Sequence, residues 1–383
     1  MLASVSGCGR LHEAPKPETV YVFAEQTYLR DRVAAVSNRV ALVTNGEPLE
    51  VVEHGRRFVR VKTRKGEVGW IEDHLVIDQA TYDQFALLKQ QHQHDPVVAT
   101  GVLRDALYLH LKPGRATDRF YLLPENDKLQ LLVRASVPRP LPGAGFLPPP
   151  SSRSGKKPAE RVRSSSGEDH ARNQAKDLPA VPMEDWWLVR DDGGHVGWLL
   201  ARRLDVDVPD EIGGYSEGQK MVGAYVLTKV EDPESTFPDK QVPIYLAVLN
   251  AYKEGLPYDF DQIRVFTWNL KKHRYETAYR QRNLEGYLPV EVTQEKVDGP
   301  NLIPVFTIRV AAGDAVATDP LTGAVHPVQS ETMRFALEGQ LVRKLSPSSQ
   351  QAAGSPARPS QPAARAVRRH RRSRTSRVRP SAQ

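Results

Sequence analysis

An internal repeat constrains the fold of this chain more than any other feature of its sequence. The stretch from Phe58 to Leu75 returns about 128 residues later, from Trp186 to Leu204. Five anchors recur at identical spacing: Phe58, Gly66, Val68, Gly69 and Trp70 correspond to Trp186, Gly194, Val196, Gly197 and Trp198. A segment that recurs in this way is a structural unit that the chain uses more than once. The sequence therefore predicts two copies of one small domain.

Short β-type runs lie before and within the first copy, and Gly-containing turns separate these runs. The runs are Val20–Phe23, Val40–Val43, Leu49–Val52, Phe58–Lys62 and Val68–Ile71. The second copy repeats the upstream part in outline, since Tyr108-Leu109-His110 corresponds to Tyr28-Leu29-Arg30. We therefore predict two small β-barrels, at residues 20–77 and 97–206.

Both copies contain an aromatic-led strand, a Gly-containing hairpin, a Gly-Trp-Ile or Gly-Trp-Leu strand and a final Leu. This pattern resembles the bacterial SH3 (SH3b) family, although Tyr28-Leu29-Arg30 only partly matches that family's Asn-Val-Arg triplet. The resemblance implies SH3-like barrels that recognise the peptide or glycan of the cell wall. It gives five candidate ligand-binding residues: Trp70, Trp198, Trp186, Tyr28 and Tyr108.

The two Gly-Trp pairs permit two interpretations. Gly69 and Gly197 would let a neighbouring backbone approach closely, and Trp70 and Trp198 would supply a large apolar surface to a domain with a small core. Core packing is the more common role of a large aromatic residue at a fixed strand position. Ligand binding is the alternative, and the sequence leaves both open.

Two further segments connect or interrupt the predicted barrels. Residues 78–96 carry apolar side chains at helical spacing and predict a helical linker. Within it, His92 and His94 point to different sides of a helix, so no metal site is predicted. Residues 137–183 are rich in Pro, Ser, Gly and basic residues, which predicts a disordered insertion in the second barrel.

Residues 215–345 form a third region, which resembles no family and predicts a β-rich or α+β domain. The predicted strands are Ile263–Leu270, Tyr275–Arg280, Val305–Val310 and Met333–Leu337, of which the first two form a hairpin. The segment Ile244–Tyr252 fits both the helical and the strand period. Aromatic and basic residues of the hairpin suit a core face or a surface for an anionic or sugar-containing polymer, and the core is the more common role.

The single cysteine, Cys8, follows Val5-Ser6-Gly7. This tetrapeptide resembles a bacterial lipobox, which implies cleavage before Cys8 and lipidation of its thiol, with residues 1–19 as a processing remnant and tether. Only seven residues precede Cys8, so we expect the full signal peptide to begin upstream of Met1. Because Gly9 rather than Asp follows the cysteine, the resemblance favours the outer membrane in a cell that has one.

The positive charge of the chain is located in its tail, residues 346–383. Nine arginines follow residue 357, and without them the formal charge falls from +7 to +7 − 9 = −2. The body of the protein therefore offers no overall basic face to nucleic acid. We predict a disordered Arg-rich tail whose partner, in an exported protein, is an anionic surface of lipid head groups or wall polymers.

No enzyme motif accompanies these features. The only cysteine lies on the N-terminal tether, and the sequence has no His-Glu-x-x-His pattern, no Gly-x-Ser-x-Gly elbow and no phosphate-binding Gly-rich loop. We therefore predict no catalytic residue, metal or cofactor. The sequence favours a non-enzymatic lipoprotein of the cell envelope, held at the membrane through Cys8 and binding peptidoglycan or another wall polymer. The alternatives are a scaffold for an envelope protein complex, an enzyme with its site in residues 215–345, and a nucleic-acid-binding protein.

Overall fold

The computed structural model describes residues 17–140, 181–320 and 322–346, which fold mainly into antiparallel β-sheets. The mainly β fold class predicted from the sequence is confirmed. The first seven strands form one sheet in the order β3-β2-β6-β5-β4-β1-β7. We call this sheet module 1. Its strands are β1 Thr19–Val22, β2 Gln26–Arg30, β3 Arg39–Thr44, β4 Pro48–His54, β5 Phe58–Lys62, β6 Val68–Glu72 and β7 Val76–Asp78.

The next seven strands form a second sheet, module 2, in the order β10-β9-β13-β12-β11-β8-β14, which is the order of module 1 advanced by seven. Its strands are β8 Ala99–Leu103, β9 Leu107–His110, β10 Arg119–Leu123, β11 Lys128–Pro138, β12 Met183–Arg190, β13 Val196–Leu200 and β14 Leu204–Val206. The sequence repeat thus corresponds to a repeat of topology. Each of these two sheets has two edge strands, so the description of the modules as SH3-like barrels stays a prediction.

The boundaries predicted for the insertion, residues 137 and 183, belong to strands in the structure. Strand β11 continues through Pro138, which pairs with Met183 at the start of β12. Both predicted boundaries therefore lie inside a regular antiparallel ladder, which satisfies the backbone hydrogen-bonding groups of these residues. Residues 141–180 lie outside the part of the chain that the structure describes.

The two glycines before the tryptophans permit a close approach of strands in both modules. A Cβ built on Gly69 would lie 2.8 Å from the Cβ of Leu29, and one on Gly197 would lie 2.6 Å from the Cβ of Leu109. Real Cβ atoms do not approach so closely, so any larger residue would force β6 away from β2, or β13 away from β9. The role expected of these glycines from the sequence is the role that they have.

One helix, α1 Gln79–His92, lies between the modules in the sequence and packs against both of them. The side chain of Asp78 accepts a hydrogen bond from the Thr81 N–H at 2.8 Å and caps the helix. Tyr82 stacks on Tyr21 of module 1 at 3.7 Å between ring centroids, whereas Phe85 is buried in the core of module 2. The segment predicted as a linker is therefore a packed element, and it contributes to holding the modules together.

The C-terminal region, β15 to β24, contains two four-stranded sheets. The first is a meander of β15 Lys220–Glu231, β16 Gln241–Asn250, β17 Gln262–Asn269 and β18 Arg274–Gln281. The second has the order β19-β20-β23-β24, with strands β19 Gly286–Lys296, β20 Leu302–Ala311, β23 Ser330–Glu338 and β24 Leu341–Lys344. A short hairpin, β21 Val316–Thr318 and β22 Val325–Pro327, lies between β20 and β23, and a helical turn, α2 Asp210–Gly213, precedes β15.

The hairpin predicted in this region is present as β17 and β18, and the segment that fitted both periods is strand β16. Strand β16 is buried along most of its length because it pairs with β15 on one side and β17 on the other. The same apolar core continues from the C-terminal region into module 2, whereas module 1 has a core of its own. Trp268 and Tyr275 of the hairpin are buried in the shared core, as expected for core aromatics.

A buried arginine joins module 2 to the C-terminal region. Arg134 of β11 forms ion pairs with Asp185 of β12 at 3.3 Å and with Asp259 of the β16–β17 loop at 2.8 Å. It also donates to the carbonyls of Leu256 and Tyr258. Burial by itself would lower the pKa of Arg134, but the two carboxylates outweigh it and the pKa is raised, so the guanidinium stays charged.

We expect Arg134→Met to lower the free energy of unfolding by about 3–5 kcal/mol, because the change leaves two nearly buried carboxylates without their cation. The measurement is urea unfolding of the purified protein followed by tryptophan fluorescence. The matched control is Arg104→Met, which breaks the pair with Asp205, more than half exposed on both sides, and should cost about 0–1 kcal/mol. Equal losses in the two variants would contradict the proposed role of Arg134.

Candidate functional site

The outward-facing side of module 1 presents a tryptophan between two arginines. Trp70 of β6 lies directly opposite Arg30 of β2 on one side and Arg60 of β5 on the other. Directly paired residues of antiparallel strands project to the same face, so these three side chains share one surface. Trp70 is half-buried and also packs beside Gly55, whereas Arg30 is exposed. Of the three, only Trp70 was a candidate in the sequence analysis.

Tyr28 extends this surface along β2. Its side chain is 37% exposed, and the guanidinium of Arg39 lies 4.4 Å from the centre of its ring, a cation–π arrangement. Val40 and Leu42 of β3 are exposed on the same side. We call the side chains of Tyr28, Arg30, Arg39, Arg60 and Trp70 the aromatic–arginine face.

The corresponding side of module 2 is closed. Trp186 and Trp198 are 2% and 1% exposed, and they pack with Leu188 and Val196 in a second apolar cluster outside the main core of the module. Both rings are thus almost wholly buried in this structure, and ligand contact by Trp186 and Trp198 stays a prediction. Leu88 of α1 packs against this cluster and contributes to its burial.

A loop of module 2 also reaches across this side. Arg115, between β9 and β10, donates to the buried carboxylate of Glu184 on β12, with its Nε 3.0 Å from Glu184 Oε2. In the equivalent loop of module 1, the Nε of Arg32 donates to the carbonyl of Val36 and lies 4.0 Å from the carboxylate of Asp31, and both partners belong to the same loop. The aromatic–arginine face of module 1 is consequently left uncovered by its own loop.

Tyr108, the remaining candidate, contacts the other module. Its ring stacks on Phe23 of module 1 at 4.5 Å, and the guanidinium of Arg119 lies within 6 Å of both rings. Asn45 adds a polar contact, since its side chain accepts from the Leu122 N–H and donates to the Phe23 carbonyl. These contacts make Tyr108 part of the junction between the modules.

A cavity of about 670 Å³ opens at the same junction. Its lining is acidic: Glu25, Glu125, Asp127 and Asp191 surround Tyr121 and His195. Burial, with the nearby Asp191 and Asp192, raises the pKa of Asp127, and burial raises the pKa of Tyr121. Such a lining is suited to a cationic group or a hydrogen-bond donor.

The Asp191–His195 pair in this cavity has a structural explanation. Burial opposes ionisation of Asp191, but hydrogen bonds from the His195 side chain and backbone outweigh that effect and lower its pKa. Both residues belong to the β12–β13 turn, which is the Gly-containing hairpin predicted for the second copy. Among the described residues, this cavity has no cysteine or serine in its lining, and no group of His, Cys, Asp and Glu is arranged to hold a metal ion.

Two of the predicted sites lie outside the described residues: the lipidation site at Cys8 and the arginines of the tail. Within the described ranges, no helix is both long enough and apolar enough to cross a membrane.

Comparison with known proteins adds little to this geometry. No family model and no curated protein matches the chain. Among solved structures, it is similar to the structure of NlpC2 from Trichomonas vaginalis at 8% identity and a TM-score of 0.15, over 59% of this chain and 62% of that one. The chain thus spans less than two thirds of the length of that structure. At such a TM-score the likeness supports no conclusion about fold or function.

The two equivalent tryptophans should differ in their effect on stability. We expect Trp198→Ala to lower the free energy of unfolding by about 3–5 kcal/mol, because it empties a fully buried position. Trp70→Ala should cost about 1–2 kcal/mol, since part of that ring is already in contact with water in the folded protein. Urea unfolding of both variants checks this difference, and a larger loss for Trp70→Ala would contradict the assignment of an open and a closed module.

Proposed function

We propose that the protein is a non-enzymatic lipoprotein of the cell envelope that binds peptidoglycan, or another wall polymer, through the aromatic–arginine face of module 1. One observation carries this proposal: the repeat has one closed copy and one open copy. In module 2 the tryptophans of the outward-facing side are covered, whereas in module 1 the equivalent side exposes the ring of Tyr28, part of the ring of Trp70 and several guanidinium groups.

The chemistry of the face suits a wall polymer. The rings of Tyr28 and Trp70 offer flat apolar surfaces, and an arginine fork binds a carboxylate through two parallel hydrogen bonds. Peptidoglycan combines sugar rings with peptide carboxylates, so it presents both kinds of group. The resemblance to bacterial SH3 domains supports the same ligand class.

Attachment at the membrane completes the proposal. A lipid on Cys8 would hold the chain at the envelope, on the periplasmic or extracytoplasmic side and at the outer membrane where a cell has one. The Arg-rich tail would add ionic attraction to an anionic surface. An acyl anchor combined with a second weak contact gives more durable attachment than either alone.

The test is co-sedimentation of the purified full chain with insoluble peptidoglycan sacculi at about 0.15 M ionic strength, where attraction between exposed charges is largely screened. We expect the wild-type protein to pellet with the sacculi, and the double variant Arg30→Ala/Trp70→Ala to lose most of this binding. The variant removes the central ring and the unpaired arginine beside it but leaves the core of module 1 in place.

Tyr252→Ala is the control, because Tyr252 is a 75% exposed aromatic residue of the C-terminal region and lies far from module 1 in the sequence. Both proteins keep the tail, so a difference between them reports on the face alone. Equal pelleting of the double variant and the control would remove the face from wall binding. A folded wild-type chain that stays in the supernatant would favour the scaffold alternative, in which the same open face contacts an envelope protein.

A further inference from the structure

A small polar cavity beside the β17–β18 hairpin contains a buried arginine that lacks part of its partners. The cavity has a volume of about 280 Å³ and lies in the C-terminal region. Arg264 of β17 lines it, and its side chain is only 1% exposed. The Nη1 of Arg264 donates to the carbonyl of Tyr215, and its Nη2 lies 3.2 Å from the carboxylate of Glu217 and 3.3 Å from Gln219.

The Nε of Arg264 has no hydrogen-bond partner among the described residues. Gln262, which also lines the cavity, has an unpaired donor as well. The Oε1 of Gln262 accepts from the Nε of Arg282 at 3.0 Å, but its Nε2 is buried and unpartnered. Buried donors are nearly always paired in folded proteins, so two unpaired donors on residues that line one cavity favour a ligand with acceptor atoms at this position.

The charges around the cavity also favour an anionic ligand. Arg264, Arg280 and Arg282 all approach Glu217, with N–O distances of 3.2, 2.7 and 4.0 Å. Three guanidinium groups therefore share one carboxylate, and that carboxylate is 51% exposed. Asp261 also lines the cavity, but it contacts Gln219 and forms no ion pair with these arginines. The cluster has more positive charge than the described residues neutralise.

Glu217 occupies the place that an anionic ligand would take. It follows the helical turns after module 2 and has a left-handed backbone, with φ at +53°, which directs its chain into β15. Its carboxylate engages Nη2 of Arg264 but leaves Nε free, whereas a bound oxyanion would normally fill both donors of one edge of the fork. Hydrogen bonding from Arg280 lowers the pKa of Glu217, so it is ionised at neutral pH.

We propose that this cavity is a binding site for an oxyanion group, a carboxylate or a phosphate, which Arg264 and Arg282 hold and for which Glu217 is an internal competitor. Arg264 and Gln262 supply the unpaired donors at the base of the site, and Arg282, 59% exposed, supplies a cation at its mouth. The site lies on the C-terminal region and does not depend on the proposed binding of wall polymer by module 1.

The experiment is isothermal titration of the purified full chain with inorganic phosphate and, separately, with acetate, at constant ionic strength maintained by chloride. We expect saturable binding of at least one of the two anions. Glu217→Gln keeps the size of the side chain but removes its charge, and it should tighten binding by about tenfold or more because the competing carboxylate is gone. Arg282→Ala should weaken binding by about tenfold, because it removes the accessible cation.

Arg274→Ala is the matched control, since Arg274 is an equally exposed arginine on the same hairpin and lies outside the cavity. Its binding should equal that of the wild type, and the tail contributes equally to all four proteins. A preference for acetate would identify a carboxylate-bearing ligand, and a preference for phosphate would identify a phosphorylated one.

Thermal unfolding gives a second measurement in case Glu217→Gln destabilises the cluster. In chloride the variant should melt at a lower temperature than the wild type. The preferred anion should remove this difference in melting temperature, because it supplies the missing negative charge. The proposal is overturned if the anions bind equally to the Glu217→Gln, Arg282→Ala and Arg274→Ala proteins, or if none of these proteins binds either anion.

Discussion

The ion pairs of Arg134 are the constraint on which the arrangement of module 2 and the C-terminal region depends. A guanidinium that leaves water needs partners for its charge and for each of its donors. Arg134 obtains them from two carboxylates and two carbonyls, which lie on β12 and on the loop before β17. The charge can be buried only when the extended β11–β12 hairpin and that loop are in contact. The pair therefore fixes where the two parts meet.

The same requirement explains why the two copies of the repeat differ. Strand β11 has eleven residues where β4 has seven, and β12 has eight where β5 has five. The added length of β12 carries Asp185 to Arg134, which stands where His54 stands in module 1, and it carries Glu184 to the arginine of the β9–β10 loop. Module 2 has become part of a larger core, whereas module 1 kept the shorter strands and an uncovered outward-facing side.

Much of the architecture could be predicted from the sequence because the signals were local. The repeat, the close-packing glycines and the β17–β18 hairpin follow from spacing, alternation and turn residues within a few positions of one another. The difference between the covered Trp198 and the half-buried Trp70 was harder to predict, because the elements that cover Trp198 lie elsewhere in the chain. One local signal was present: Leu188 stands in the second copy where Arg60 stands in the first, and a charged residue at that position indicates an open side. Arg134 and Asp259 are 125 residues apart, and no pattern connects them before folding.

Arg134 and Arg264 differ in how many of their donors and how much of their charge are paired. This difference distinguishes an arginine with a structural role from one in a candidate binding site. Both are removed from water, and both therefore carry a cost in desolvation that their partners must offset. The guanidinium of Arg134 meets two carboxylates, so its charge is more than balanced by protein groups alone. Arg264 shares a single exposed carboxylate with two other arginines and keeps one donor unpaired. If position 264 served folding alone, an apolar side chain would fill it at a lower cost in free energy than an arginine with an unpaired donor. The incomplete cluster is thus better explained by a group that comes from outside the chain than by the packing of β17.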